Sequence, residues 1–384
     1  MKLLHTADWH LGRSLYEARL IEDQAHALDG LVALVRDARP DAVIVAGDVY
    51  DRAVPPGEAV SLLDETLNRI CRGEGVPVLM IAGNHDSPER LDFASGLTGD
   101  AGLHLRGRVC DPPAPVVLED AHGQVHVHLL PYAEPAAVRQ ALGDEATTGH
   151  DAAMAALTGR VRDALPAGVR GVAVAHAFVA GGAESESERP LVVGGSGSVA
   201  AKRFDGFCYA ALGHLHRPQA MEGGRVRYSG SLLKYSFDEA AHRKSVSLVE
   251  IAADGAVAVE EIALPLRRDV RIVEGTIEQL TRDPPLLGRD DWLLARLHDS
   301  GVVLDAMAKL RAVYPNVLAI ERPSRTLGPE GAAAARDHRR TGPDDLFDAF
   351  WEEVTGASLS EEERPVVHDA VARARAAETE EAGR

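Results

Sequence analysis

Five short words in this chain hold more polar chemistry than a turn requires. They are Asp8-Trp9-His10, Gly47-Asp48-Val49-Tyr50-Asp51, Gly83-Asn84-His85-Asp86, a lone His176 closing "VAVAH", and "GHLH" with His214 and His216. Carboxylate, amide carbonyl and neutral imidazole make a mixed oxygen and nitrogen donor set. That set suits Mn, Fe or Zn better than Ca or a thiolate-bound metal. Two such ions about 3.5–4 Å apart can clamp both the attacking and the leaving oxygen of a phosphoryl displacement. Asp8, His10, Asp48, Asn84, His176, His214 and His216 supply seven ligands, with Asp48 the natural bridge. His85 is then left beside a ligand, where a general acid belongs. Asp51, shortly after Asp48, is expected to orient His85 through its carboxylate, as acidic side chains commonly do for imidazoles.

Any one word is also a fair turn or a strand end. Together, in this order and each after an apolar run, they are poorly explained as turns. His126 and His128 in "VHVHLL" repeat the i, i+2 spacing but have no carboxylate partner at a strand end, so a solvated strand face is expected there. His5 lies inside the first strand and reads as structural. Gly47 and Gly83 are expected to let the backbone turn tightly beside the metals.

The elements behind these words are legible as a pattern. "KLLHTA" reads as a strand, about 20–38 as a helix, "DAVIVAGD" as a β-branched strand, about 58–72 as a second helix, and "VPVLMIAGN" as a third strand. Strands alternating with helices of this length indicate a layered α/β domain. Their continuously apolar character fits strands buried on both faces. In such folds ligands bind outside the carboxyl ends of the strands, so residues distant in sequence converge there. The middle is richer in strands. The glycine-rich segment between His176 and Phe204 reads as a mobile loop. From about 265 the pattern becomes strand, helix, strand, helix, strand. A segment rich in Pro, Gly, Ala and Arg then reads as a linker. The tail offers two amphipathic helices. Leu346, Phe347, Phe350, Trp351 and Val354 form one stripe, and Val367 and Val371 lie on the other. Ser360 and Glu363 make a capping-box pair for the second helix. Two such stripes on a linker want a groove or a helical partner, the other possibility being a hairpin folded back on its own domain.

Composition bounds the class. A chain of 384 residues exceeds what one core usually sustains. Three cysteines, far apart, suggest neither a disulfide framework nor a zinc cluster, which fits a reducing compartment. No apolar run of membrane-spanning length and no signal-peptide pattern is visible, so a cytoplasmic location is expected. The formal charge of −18 argues against strong nucleic-acid binding by the chain alone. Residues 345–384 hold eleven acidic and four basic side chains, a net of −7, so part of that charge is local.

The five words resemble those of the calcineurin-like metallophosphoesterases. "MKLLHTADWHLGRSL", "GDVYDRAVPP", "GNHDSPERL", "ALGHLHRPQ" and "RYSGSLLKYSFDE" narrow the resemblance to the SbcD branch, the bacterial counterpart of the Mre-type nucleases. The resemblance implies an α/β metallophosphoesterase sandwich of mixed sheets flanked by helices, with a small α+β capping domain and a C-terminal helical hairpin. The implied boundaries are 1–265 for the nuclease domain, 266–322 for the capping domain, 323–343 for the linker and 344–384 for the partner-binding tail. It implies one metal on Asp8, His10, Asp48 and His216 and another on Asp48, Asn84, His176 and His214. Manganese is the usual metal in assays of the family. His85 would be the catalytic histidine, supported by Asp51. The implied activity is exonuclease on duplex DNA ends and endonuclease at hairpins, in DNA end processing and repair. Implied partners are an SbcC-type ATPase and a second copy, the dimer forming through helices between about 57 and 100. Action on DNA would place the chain at the nucleoid. Two other functions fit the same ligands: a nucleotide or small-molecule phosphodiesterase, and a non-catalytic DNA-end scaffold. A protein phosphatase fits less well, since "GDVYDRAVP" lacks Arg-Gly and "GNHD" lacks the expected Glu.

Overall fold

The computed structural model describes residues 1–384 apart from 112–113, 146, 189–196, 283, 286, 302, 323–346, 349–350, 353–355, 371–372 and 374–384. It divides into two compact units, residues 1–270 and 271–384.

The first unit is built on two six-stranded sheets. One runs, edge to edge, Val257–Ile262, Val246–Ile251, Lys2–Thr6, Ala42–Ala46, Val78–Ile81, Leu103–Arg106. Its last four strands are mutually parallel, and Val246–Ile251 pairs antiparallel with Lys2–Thr6. The other runs Gln219–Met221, Val226–Tyr228, Tyr209–Gly213, Arg170–His176, Gly123–Leu130, Val116–Asp120. Leu3, Ile44, Leu79 and Ile81 of the first sheet meet Val125, Val127, Val172, Val174 and Tyr209 of the second in one core between the layers. The opposite face of the second sheet, with Leu130, Ala173, Ala175 and Leu212, is covered by Met154, Leu157 and Val161 of the helix Gly149–Ala164.

The helix Ile21–Ala38 buries Ala27, Leu28, Leu31, Val32 and Val35, an i, i+4 stripe. It stops at Arg39, which is left-handed (φ 50°), just before Pro40. The second expected helix spans Gly57–Asn68 and continues as a wider π turn through Glu74.

Two expectations need correction. His128 is buried, not solvated, with its ring edge toward Phe207. Alternation correctly put His126 and His128 on one strand face. It could not show that residues 149–164 cover that face. The segment after His176 is not wholly free either: Ser185, Ser187 and Glu188 are buried. His5 is structural, with its ring held by the Tyr209 hydroxyl at 2.9 Å and the Leu212 carbonyl at 3.1 Å.

The second unit has a three-stranded sheet of Val270–Gly275, Trp292–Leu297 and Val317–Glu321, the first strand starting at the boundary residue. Helices Ile277–Arg282 and Ala306–Arg311 alternate with these strands, and Leu293, Ala295, Leu297, Leu310 and Tyr314 form its core. In the tail, the Ser360 hydroxyl accepts from the Glu363 N–H while the Glu363 carboxylate accepts from the Ser360 N–H, the reciprocal capping box. Phe347 and Trp351 stack at 6.4 Å. Leu346, Phe350, Val354, Val371 and the 323–343 linker lie outside the described residues.

Candidate active site

The strand ends deliver their polar residues to one buried place. Asp8 and His10 follow Lys2–Thr6, Asp48 follows Ala42–Ala46, and Asn84 follows Val78–Ile81. From the other sheet, His176 ends its strand, and His214 and His216 follow Tyr209–Gly213. The ends turn sharply: Asp8, His10, Asp48 and His214 all have positive φ, at 53°, 45°, 47° and 112°. Such backbone is held only where its surroundings over-determine it, as at functional sites. Close approach also dictates two glycines. A Cβ on Gly47 would lie 2.4 Å from His176 Nδ1, and one on Gly83 would lie 2.1 Å from Asp48 Oδ1.

All seven expected ligands converge. His10 Nε2 and His216 Nε2 face each other at 3.0 Å. Asn84 Oδ1 lies 2.9 Å from His176 Nε2 and 3.2 Å from His214 Nδ1. Between these groups stands Asp48, whose Oδ2 is 3.6 Å from His10 Nε2 and 3.5 Å from His176 Nε2. Asp8 accepts the His214 N–H at 2.9 Å and is 4.0 Å from His176 Nδ1. Donor atoms of Asp8, Asp48 and His176 lie within 4.8 Å of one another, as do those of His10, Asp51 and His85.

Burial sets the charges. It pushes the His214 pKa down to about 3 and moves His10, His176 and His216 in the same direction, which favours rings with lone pairs available. His176 donates Nδ1–H to the Ala46 carbonyl at 3.0 Å, which leaves the lone pair on Nε2. Burial, then the charge of Asp48, pushes the Asp8 carboxyl well above the usual range. Asp48 is held below that range: burial opposes its charge, but His176 and His85 outweigh it. His10 Nδ1 is buried with no hydrogen-bond partner. Converging imidazole lone pairs and two carboxylates sharing one pocket fit a divalent cation, which would neutralise the carboxylates and take the lone pairs.

His85 stands beside this cluster, partly exposed, its ring edge-on to His10 at 4.7 Å. Its main-chain N–H donates to Asp48 Oδ1 at 2.9 Å. Asp51 does hold it, but through the wrong oxygen for the expectation: His85 Nδ1 donates to the Asp51 carbonyl at 2.9 Å. The Asp51 carboxylate instead faces Arg13 at 3.6 Å and His10 Nδ1 at 3.8 Å.

Two residues to which reading the sequence gave no role brace the site. Asp86 accepts main-chain N–H groups from Gly83, Val49 and Tyr50 at 2.8, 3.1 and 2.9 Å, tying the second and third words together. Burial, with the Asp48 charge next, raises its pKa to about 7. Gln24 donates to the Trp9 and His10 carbonyls at 3.2 and 2.8 Å. Asp86 was visible in "GNHD" as the residue left without a role; Gln24 gave no signal.

The calcineurin-like phosphoesterase family profile matches residues 1–131, and the profile called type 5 capsule protein repressor C-terminal domain (SbcD_C) matches 266–355. A protein of Staphylococcus saprophyticus subsp. saprophyticus, named as the D subunit of the nuclease SbcCD, is 32% identical over 363 residues, covering 94% of this chain and 95% of that one. The chain belongs to the SbcD family. An SbcD-family chain carrying the calcineurin-like core is a phosphodiesterase, and its family implies use of divalent metal. Among solved structures, TT1561 of Thermus thermophilus covers 68% of this chain and 98% of its own at 13% identity and TM-score 0.39. The calcineurin-like phosphoesterase YfkN of Bacillus subtilis covers 68% and 90% at 14% identity and TM-score 0.38.

Proposed function

We propose that this chain is the nuclease component of a DNA end-processing complex, cutting phosphodiester bonds at duplex ends and hairpins with an SbcC-type ATPase. The observation that carries the reading is Asp48, placed between two imidazole groups with His85 anchored on its oxygen. Asp8, His10, Asp48 and His216 would hold one divalent ion, and Asp48, Asn84, His176 and His214 the other, manganese being the metal to try first. When bound, these ions supply Lewis-acid polarisation of the phosphodiester. The chain does the rest. Buried ligands exclude water from one side of the site. The His85 ring is fixed by the Asp51 carbonyl at Nδ1, so its Nε2 is free to point at substrate. As water attacks phosphorus and the P–O bond to the leaving oxygen breaks, the doubly protonated ring gives that oxygen its Nε2 proton and keeps Nδ1–H, which stays hydrogen-bonded to the carbonyl.

In this reading residues 1–265 are the nuclease domain, 266–322 the cap, 323–343 a linker and 344–384 the segment that docks on the ATPase. Exposed Phe93, Leu97 and Val60, at 81%, 83% and 44%, support a second copy as the occupant of that surface.

The test is cleavage of an end-labelled DNA hairpin with Mn2+, wild type beside His85→Ala, with an aryl phosphodiester in parallel. Wild type should cut the hairpin and His85→Ala should lose about 10²–10⁴-fold. Hydrolysis of the aryl ester alone, unchanged when the ATPase partner is added, would favour a small-molecule phosphodiesterase. Full activity of His85→Ala would remove the assigned acid.

A further inference from the structure

Glu239 is wholly buried on the short turn Asp238–Ala241, and no part of the proposed ligand set accounts for it. One carboxylate oxygen accepts from the Ser187 hydroxyl and the other from the Lys244 ammonium. Lys244 also donates to the His216 carbonyl at 2.7 Å and to Ser231 Oγ at 2.9 Å. Ser187 Oγ is 2.6 Å from His216 Nδ1. The next residue, Glu188, accepts the His216 main-chain N–H at 2.6 Å. Arg13 pins the loop from outside, donating to the Ser187 carbonyl at 2.7 Å. Two consecutive loop residues thus grip one histidine, at its ring and at its backbone, while Lys244 holds its carbonyl.

The directions of these bonds follow from what each group can do. An ammonium only donates, so Glu239 beside it is a charged acceptor. The Ser187 O–H is therefore committed to Glu239. Its oxygen is left to accept, and His216 must present Nδ1–H. The lone pair then lies on Nε2, the atom that faces His10 Nε2 at 3.0 Å. Glu239 Oε1 also reaches His216 Nδ1, at 3.4 Å, so the ring meets the Ser187 hydroxyl first, at 2.6 Å, with the carboxylate behind it.

We propose that Ser187 is the positioning residue of His216, with Glu239 and Lys244 as its anchor, fixing the tautomer that offers Nε2 to the metal. The inference rests on the reading of His216 as a ligand.

The experiment titrates Mn2+ into the full-length, metal-free chain, followed by calorimetry and by electron paramagnetic resonance. Wild type, Ser187→Ala, Ser187→Thr and Glu239→Gln are compared, with metal-free melting temperatures for each. Ser187→Ala should weaken one of two Mn2+ sites by about 10–100-fold, leave the other within about threefold and leave metal-free melting unchanged. Ser187→Thr, which keeps the hydroxyl, should bind as wild type does. If Glu239→Gln does not fold, the serine pair still decides. The proposal is overturned if Ser187→Ala binds as wild type, or if both sites weaken together with a drop in metal-free melting. A wild type that binds fewer than two Mn2+ ions would instead overturn the two-metal reading itself, and this inference with it.

Discussion

At the residue scale, the pair Asp51 and His85 separates two ways of supporting the imidazole proposed as the acid. The ring is held by a main-chain carbonyl, which side-chain substitution leaves in place. Asp51→Asn should therefore lower hairpin cleavage by less than about tenfold, against about 10²–10⁴ for His85→Ala. Single-turnover rates of the two variants under saturating Mn2+ check this. A loss in Asp51→Asn equal to that in His85→Ala would mean that the carboxylate supports the chemistry, through His10 or directly. The sequence made the convergence of the seven candidate ligands legible because each carries its own chemistry and follows an apolar run. It did not make legible which oxygen of Asp51 would be used, since both atoms belong to one residue.

At the element scale, periodicity revealed the strands, the helix Ile21–Ala38 and the alternation in the second unit. It failed where an outcome depends on a distant cover. His128 is buried because a helix lies over its face, and Ser187 meets Glu239 across 52 residues. No short-range pattern encodes such a meeting. The rim of the second sheet offers a further case. Arg170, the first residue of Arg170–His176, donates to both oxygens of Asp120 and to the Gly123 carbonyl at 2.9 Å, bracing the hairpin of the two neighbouring strands. Hydrogen bonds from Arg170 hold the Asp120 carboxyl far below the usual range. A depressed folded pKa means stability that is present above the unfolded value of about 3.9 and is lost as pH falls toward the folded one. Asp120→Asn should thus be less stable than wild type near neutrality, and the gap should close as pH drops below about 4. Urea unfolding from pH 7 to pH 3 measures it; a gap that widens on acidification would contradict the assignment.

At the scale of the whole molecule, net charge and surface patches govern association. With −18 overall, the chain repels a polyanion except where local cations gather. It should bind duplex DNA weakly alone at physiological salt, and addition of the ATPase partner should tighten binding. Fluorescence anisotropy reads both, and tight binding by the isolated chain would overturn the partner-clamp reading. The apolar patch makes a second demand. In sedimentation velocity the wild-type chain should run as a dimer, and Phe93→Asp with Leu97→Asp as a monomer. Unchanged sedimentation of the double variant would move the dimer surface elsewhere.

The first sheet places Lys2–Thr6 between Ala42–Ala46 and Val246–Ile251, so neighbours in space are made some 240 residues apart. Such non-local pairing is slow to form. On the ribosome, the segment carrying Asp8 and His10 must wait, partly uncovered, until more than half of the polypeptide has been synthesised. The metal-binding centre is thus among the last parts of the domain to be completed. A nascent chain halted before residue 246 would expose the unpaired edge of its first strand to chaperones and to other nascent chains.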